Sequence, residues 1–184
     1  DYATYYPINR CYDHALGDAD CAVNARYQRT LAAQLAIPDR LPFCVGEYWN
    51  VSKYDDLPLV FTTRISDDLP AYHRRGVTGM TYMHVPLLAW SVRTATQGLY
   101  AQLAWQPDAD ASAWMSEFCD RWYGPHAAVL TNVLPTLEKA FAAIADWRAW
   151  APRSILSELL VWDGRTPTGP LASKTHFATP TAAI

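Results

Sequence analysis

The sequence predicts an α/β fold, with a small parallel sheet in its first half and a helical region in its second half. Two observations indicate this class. Short apolar runs alternate with helical patterns in the first half, which is typical of parallel strands joined by crossover helices. In the second half, apolar residues recur at helical spacing. Because 51% of the 184 residues are hydrophobic and 18% are charged, we expect a folded globular chain.

The first half begins with a predicted strand, Thr4–Asn9, and a polar loop follows it. A helix begins near Val23, where apolar residues recur every fourth position, and Pro38 ends it. The second predicted strand is Phe43–Glu47, an apolar run that ends in a carboxylate. The first half thus opens as a strand, a helix and a strand.

A second helix is predicted within Phe61–Arg75, and Gly76 is its C-terminal stop. Pro70 leaves two alternatives open, a kinked helix or regular turns that begin only near Asp67–Asp68. The third predicted strand is Val77–Val85. Strands and helices therefore alternate through the first half.

The second half predicts three helices. The first is Leu87–Trp105, and the second begins at Asp108 or Asp110 and ends at Gly124. The third carries apolar residues at helical steps over Leu130–Ile144. Four tryptophans lie on these helical stripes and are predicted to be core residues: Trp105, Trp114, Trp122 and Trp147.

Charge and composition exclude several classes of partner. A net charge of −3 without a basic run predicts no binding to nucleic acid. No apolar run approaches the roughly 20 residues of a membrane span. No cofactor is predicted. The surplus of eight Trp and eleven Tyr has two interpretations, sugar-stacking platforms or large core residues.

The four cysteines do not form a Cys-x-x-Cys pair, and this predicts no zinc site. Cys11 and Cys21 flank a ten-residue loop, so a disulfide in an oxidising compartment is one alternative. The preferred alternative is that the cysteines are buried free thiols.

The chain begins at Asp1 without a signal-like segment, so we expect an internal piece of a longer polypeptide. Localisation does not follow from the sequence.

Polar and aromatic side chains follow each predicted strand. Because parallel strands end at the same edge of a sheet, we expect these side chains to converge on one site. Glu47 is the candidate catalytic residue. The candidate substrate-binding residues are Asn9, Arg10, Tyr12, His14, Tyr48, Trp49, Asn50, Tyr82 and His84.

Several of these residues have a second interpretation. Glycosidic cleavage normally needs two carboxyl groups, about 5–5.5 Å apart for retention or about 6.5–9.5 Å for inversion. Glu47 supplies one of them, or it pairs with Arg10 to hold two strands in register. Arg10 clamps a substrate carboxylate, or it pairs with Glu47 or Asp13. Trp49 stacks on sugar or packs in the core. His84 is predicted to position substrate rather than to act as a base or metal ligand.

Four runs in this order carry a resemblance: Tyr5–Tyr12, Val45–Lys53, Gly79–His84 and Leu103–Asp108. Together they resemble a bacterial domain family of uncharacterised function that is grouped with glycoside-hydrolase TIM barrels, near the α-glucuronidases and β-hexosaminidases. The resemblance spans about residues 4–147. The segment Phe118–Pro125 is similar to the helical region after the last barrel strand of those enzymes.

The resemblance implies a role for each strand end. Glu47 takes the place of a carboxylate that acts as base on water in the α-glucuronidases. Asn9 stands where those enzymes have an aspartate, and an amide orients water but does not accept its proton. The family's general acid comes from an earlier strand, which has no counterpart in this chain.

A complete (β/α)8 barrel needs about 250 residues. We therefore expect the C-terminal portion of a barrel, with about three βα units in residues 1–106. A C-terminal helical region follows in residues 107–163, and an irregular tail in residues 164–184. Because a lone three-stranded sheet has an exposed edge, the expected partner is the missing N-terminal part of the barrel or another chain.

The leading hypothesis is hydrolysis of a glycosidic bond, with Glu47 as base or nucleophile and the acid outside this chain. The alternative is a non-catalytic carbohydrate-binding protein on a degenerate barrel, which Asn9 in place of an acid favours. A third possibility is a helical scaffold whose tryptophan-rich helices mediate association.

Overall fold

The computed structural model describes residues 1–8, 10–49, 60–82 and 90–142. The first part alternates three strands with two helices: β1 (Ala3–Tyr5), α1 (Ala22–Leu35), β2 (Phe43–Glu47), α2 (Thr62–Arg74) and β3 (Gly79–Tyr82). Three helices follow: α3 (Trp90–Trp105), α4 (Ala111–Tyr123) and α5 (Ala127–Ala142). A one-turn 3-10 helix, Gly124–His126, joins the last two. The predicted α/β class is confirmed at this level, and a barrel stays a prediction.

The sheet is parallel, with β2 between β1 and β3. Tyr5 pairs with Val45, and Glu47 pairs with Tyr82, so the carboxyl ends of the strands lie along one edge. Alternate residues of a strand share a face. Phe43, Val45 and Glu47 therefore point to the same side of β2.

That side of β2 faces the helices. Phe43 and Val45 pack in a buried cluster with Leu31 of α1 and Tyr72 of α2. A second buried cluster joins the end of β2 to α2 and α3, and its members include Trp49, Ile65, Leu99 and Leu103. The Glu47 side chain is thus directed into the helix layer.

Strand β1 is shorter than predicted, because a turn closes directly after it. The Arg10 N–H donates to the Pro7 carbonyl oxygen at 3.0 Å, and proline itself has no N–H for a ladder. Strand β3 begins later than predicted, because the Val77 N–H is bonded to the Tyr72 carbonyl at the end of α2. Gly76 has φ 90°, as expected of a left-handed helix stop.

Helix α2 begins at Thr62 and contains Pro70, so the alternative of a start near Asp67 is wrong. The reason lies far away in the sequence. The carboxylate of Glu138 on α5 accepts hydrogen bonds from Thr62 Oγ1 and from the backbone N–H groups of Thr63 and Arg64, at 3.1, 2.9 and 3.1 Å. These N–H groups have no partner within a helix. Glu138 therefore caps α2 from another helix.

Replacing Glu138 by alanine is expected to destabilise the protein by about 0.5–2 kcal/mol, the range measured for loss of a cap. Urea unfolding of the intact protein, followed by circular dichroism, measures this. Glu117→Ala is the matched control, since that carboxylate is 58% exposed and pairs with Arg121 of its own helix. Equal midpoints for the two variants would contradict the capping role.

Helix α4 begins and ends as predicted. Asp110 Oδ1 accepts from the N–H groups of Ser112 and Ala113 at 2.9 and 3.0 Å. Gly124, with φ 51°, ends the helix. Helix α5, the third helix predicted for the second half, begins at Ala127, earlier than predicted. Residues 143–184, which include Trp147 and the predicted tail, lie outside the described part.

The prediction that the helical tryptophans are core residues is wrong for two of them. Trp105 is 86% exposed at the end of α3, and Trp122 is 54% exposed. Trp114, Phe118 and Trp122 stack in a row along α4 with centroids 5.2 and 5.8 Å apart. The Trp114 end of the row lies against Gly98 of α3, and Phe118 packs on a buried cluster that includes Ala95 of the same helix. Within the described helices, none has the length and hydropathy needed to cross a bilayer.

Candidate functional site

A buried ionic network lies at the carboxyl edge of the sheet, around Glu47. Arg10 and Glu47 are 0% exposed and Asp68 is 1% exposed. Arg10 Nε lies 3.0 and 3.1 Å from the two Glu47 oxygens, and Arg10 Nη2 donates to Asp68 Oδ2 at 2.5 Å. One guanidinium thus bridges two carboxylates that come from a strand and a helix.

Two tyrosine hydroxyls complete the shell of Glu47. Tyr12 donates to Glu47 Oε2 at 2.8 Å, and Tyr72 donates to Oε1. The Tyr12 oxygen also accepts from the Tyr48 N–H at 3.2 Å, and its ring lies 4.1 Å from the Arg10 guanidinium carbon. Both oxygens of Glu47 are therefore occupied by donors from the polar loop and from α2.

Asp68 is a member of this network that the sequence analysis missed. Its Oδ1 accepts from the Leu16 N–H at 2.7 Å, which fixes the loop between β1 and α1 to α2. Asp68 and Tyr72 are one helical turn apart and so lie on the same face. The signal in the sequence is a carboxylate within the inward stripe formed by Ile65, Leu69 and Tyr72.

Burial and charge set the protonation states of the network. Burial raises the pKa of Glu47, the negative charge of Asp68 raises it further, and Arg10 only partly opposes them. Burial favours the neutral form of Arg10, but the charges of Asp68 and Glu47 outweigh it and raise its pKa. Burial and the charge of Glu47 raise the pKa values of Tyr12 and Tyr72. Arg10 therefore stays charged and the tyrosines remain donors.

The structure brings Arg10, Tyr12 and Glu47 together, and Arg10 makes the pairing with Glu47 that the sequence left open. Trp49 is 0% exposed and contacts the rings of Tyr82 and Tyr100 at 5.8 and 5.9 Å. Trp49 therefore packs in the core, which was the second interpretation of this residue. Three candidates lie outside the described residues: Asn9, Asn50 and His84.

The side of β2 opposite the network carries two accessible aromatic rings. Tyr6 is 44% exposed and Tyr48 is half-buried, and their rings meet edge to face at 6.0 Å. Tyr6 lies over Gly46, where an added Cβ would be only 2.0 Å from Tyr6 Cε1. The glycine therefore makes room for the ring. Tyr6 was not among the predicted site residues.

His14, which was predicted to bind substrate, lies in the loop between β1 and α1. It is exposed, and its Nδ1 is 3.3 Å from Cys11 Sγ.

A crevice of about 50 Å³ lies at the amino-terminal end of β3, between Leu69, Val77 and Pro107. That volume is far below the roughly 300 Å³ of small ligand pockets.

No family model, no curated protein and no solved structure matches this chain. The resemblance to glycoside-hydrolase barrels therefore stays a prediction from the four sequence runs.

Proposed function

We propose that this chain is part of a glycoside-hydrolase-like (β/α)8 barrel and binds carbohydrate at the carboxyl edge of its sheet. The observation that carries the proposal is the pair of accessible rings, Tyr6 and Tyr48, beside the end of the central parallel strand. Ligands of parallel α/β proteins bind beyond the carboxyl ends of the strands. The remaining strands come from the N-terminal part of the barrel or from another chain.

The two rings suit a sugar, because tyrosine combines an apolar face with a polar hydroxyl. The apolar C–H face of a pyranose packs on the ring, and its hydroxyls reach the phenol oxygen. The Glu47 network holds the backbone of this surface in place. The Tyr12 hydroxyl donates to Glu47 and accepts from the Tyr48 N–H, so it connects Glu47 to the backbone of Tyr48. In this proposal Glu47 is a positioning residue.

Isothermal titration of the intact protein with neutral and acidic oligosaccharides tests the proposal. Tyr6→Ala and Tyr48→Ala are each expected to weaken binding about tenfold, equivalent to about 1.4 kcal/mol. Tyr2→Ala is the matched control, because Tyr2 is 65% exposed and precedes β1. Unchanged affinity in both edge variants, or no binding by the unaltered protein, would overturn the proposal.

Hydrolysis is the second candidate, with Glu47 as base or nucleophile and the acid outside this chain. Burial raises the pKa of Glu47, which favours this candidate because a general base is most effective when its pKa lies near the working pH. Substrate would have to displace one of the tyrosine hydroxyls from Glu47, since the carboxylate is 0% exposed.

Glu47→Gln in the intact protein distinguishes the two roles. If Glu47 takes part in the chemistry, release of reducing sugar falls at least about 100-fold while sugar affinity is kept. If Glu47 only holds the carboxyl edge of the sheet in place, sugar affinity and the urea midpoint fall together. An unaltered protein that binds oligosaccharides without cleaving them would remove hydrolysis as a candidate.

A further inference from the structure

Three potential metal ligands lie together at the start of α1. Cys11 Sγ, a His14 ring nitrogen and Cys21 Sγ are all within 4.8 Å of one another. The contact between Cys11 Sγ and His14 Nδ1 is 3.3 Å. Around a tetrahedral zinc ion, with bonds of about 2.3 Å to sulfur and about 2.0 Å to nitrogen, such atoms are about 3.5–3.8 Å apart. The three side chains are therefore already near coordination distance.

One buried side chain makes several hydrogen bonds to the loop that carries two of these ligands. Asn24 is 0% exposed, and its Oδ1 accepts from the Cys11 N–H at 2.9 Å. Its Nδ2 lies within 3.0–3.2 Å of the carbonyl oxygens of Cys11, His14 and Ala15. Side chains on a loop fixed in this way are arranged before any ion arrives. Asn24 is in the first turn of α1, three residues after the third ligand.

That third ligand, Cys21, is the N-cap residue of α1. Its Sγ accepts from the Asn24 N–H at 3.4 Å. The Asn24 N–H thus points at the sulfur that would coordinate the ion.

We propose that Cys11, His14 and Cys21 bind a divalent cation of the zinc class. Two thiolates and an imidazole select zinc over magnesium or calcium, which prefer oxygen ligands. Cys21 is buried, Cys11 is half-buried and His14 is exposed, so the cluster reaches solvent on the His14 side. The fourth position is then open to water or to another ligand.

The proposed ion has a structural consequence for the carboxyl edge. The same loop carries Arg10 and Tyr12, so binding of the ion stabilises the shell of Glu47. The sequence predicted no zinc site because its cysteines do not form a Cys-x-x-Cys pair. The ligand spacing here is Cys-x2-His-x6-Cys, and the third ligand is separated from the others by the loop.

Metal titration of the reduced, chelator-treated intact protein tests the proposal. Zinc is expected to bind one ion per chain, and cobalt in its place is expected to give the intense thiolate charge-transfer and tetrahedral visible bands. Cys11→Ser, His14→Ala and Cys21→Ser are each expected to weaken binding by more than about 100-fold, beyond the 10–100-fold typical of outer-shell partners. Serine is a good N-cap residue, so Cys21→Ser is expected to keep α1.

The controls are Cys44→Ser and His73→Ala, since Cys44 is a free, half-buried thiol on β2 and His73 is exposed on α2. Both are expected to bind zinc as the unaltered protein does. The cobalt spectrum of the unaltered protein reports sulfur ligation even if a variant fails to fold. Absence of that band, or unchanged affinity in folded Cys21→Ser, would overturn the proposal. A Cys11–Cys21 disulfide combined with no zinc uptake after its reduction would overturn it as well.

Discussion

Replacing Arg10 by methionine is expected to destabilise the intact protein by about 3–5 kcal/mol, the range measured when one partner of a buried ion pair is removed. Methionine keeps much of the side-chain length but leaves Glu47 and Asp68 without their cation. Both carboxylates are almost fully buried, at 0% and 1% exposure, so water does not replace the guanidinium. Urea unfolding at neutral pH measures the loss.

Arg121→Met is the control, because Arg121 also pairs with a carboxylate but is 79% exposed. Exposed pairs contribute about 0–1 kcal/mol, so the control is expected to keep its midpoint within that range. A similar small loss in Arg10→Met would mean that the network does not hold the fold together.

The Arg10 variant also has an expected pH dependence. Burial raises the pKa of Glu47 in the folded protein, and removal of Arg10 takes away a charge that lowers it. Between the unfolded value of about 4.3 and the raised folded value, the folded state binds more protons, so stability increases as pH falls. The deficit of Arg10→Met is therefore expected to shrink on acidification. A deficit that is constant with pH would contradict this assignment of charge.

The elements that the sequence predicts correctly are those with local signals. Strand β2 has the predicted bounds, Phe43–Glu47, because an apolar run ends at a polar residue there. Asp110 caps α4 and Gly76 ends α2 for reasons contained within one helical turn. The start of α2 could not be predicted, because its capping residue, Glu138, is 76 positions from Thr62.

The same distinction applies to the candidate site. Periodicity places Tyr72 inward, but it does not show that the hydroxyl meets Glu47, a contact across 25 positions. Asp68 reaches Arg10 across 58 positions. Residue spacing predicts the face on which a side chain lies, whereas its partner atom depends on how elements pack. For this reason the pairing of Arg10 with Glu47 was predicted as one alternative, and its second carboxylate was missed.

Trp49→Ala is expected to destabilise the protein by about 3–5 kcal/mol, the cost of removing a large buried ring. Trp49 is 0% exposed and packs with Tyr12, Leu99 and Leu103 in the cluster that joins β2 to α3. Its removal leaves a cavity beside the Glu47 network. Trp105→Ala, at an 86% exposed position, is expected to stay within about 0.5 kcal/mol.

Trp49→Phe separates packing from polar interaction at this position. Among the described residues, the indole Nε1 of Trp49 is buried without a hydrogen-bond partner, so phenylalanine keeps an aromatic ring there and removes no hydrogen bond to those residues. We expect Trp49→Phe to lose no more than about 1.5 kcal/mol, as for other well-tolerated apolar exchanges in a core. If Trp49→Ala instead keeps the urea midpoint and loses oligosaccharide binding, Trp49 stacks on sugar, and the carbohydrate surface extends beyond Tyr6 and Tyr48.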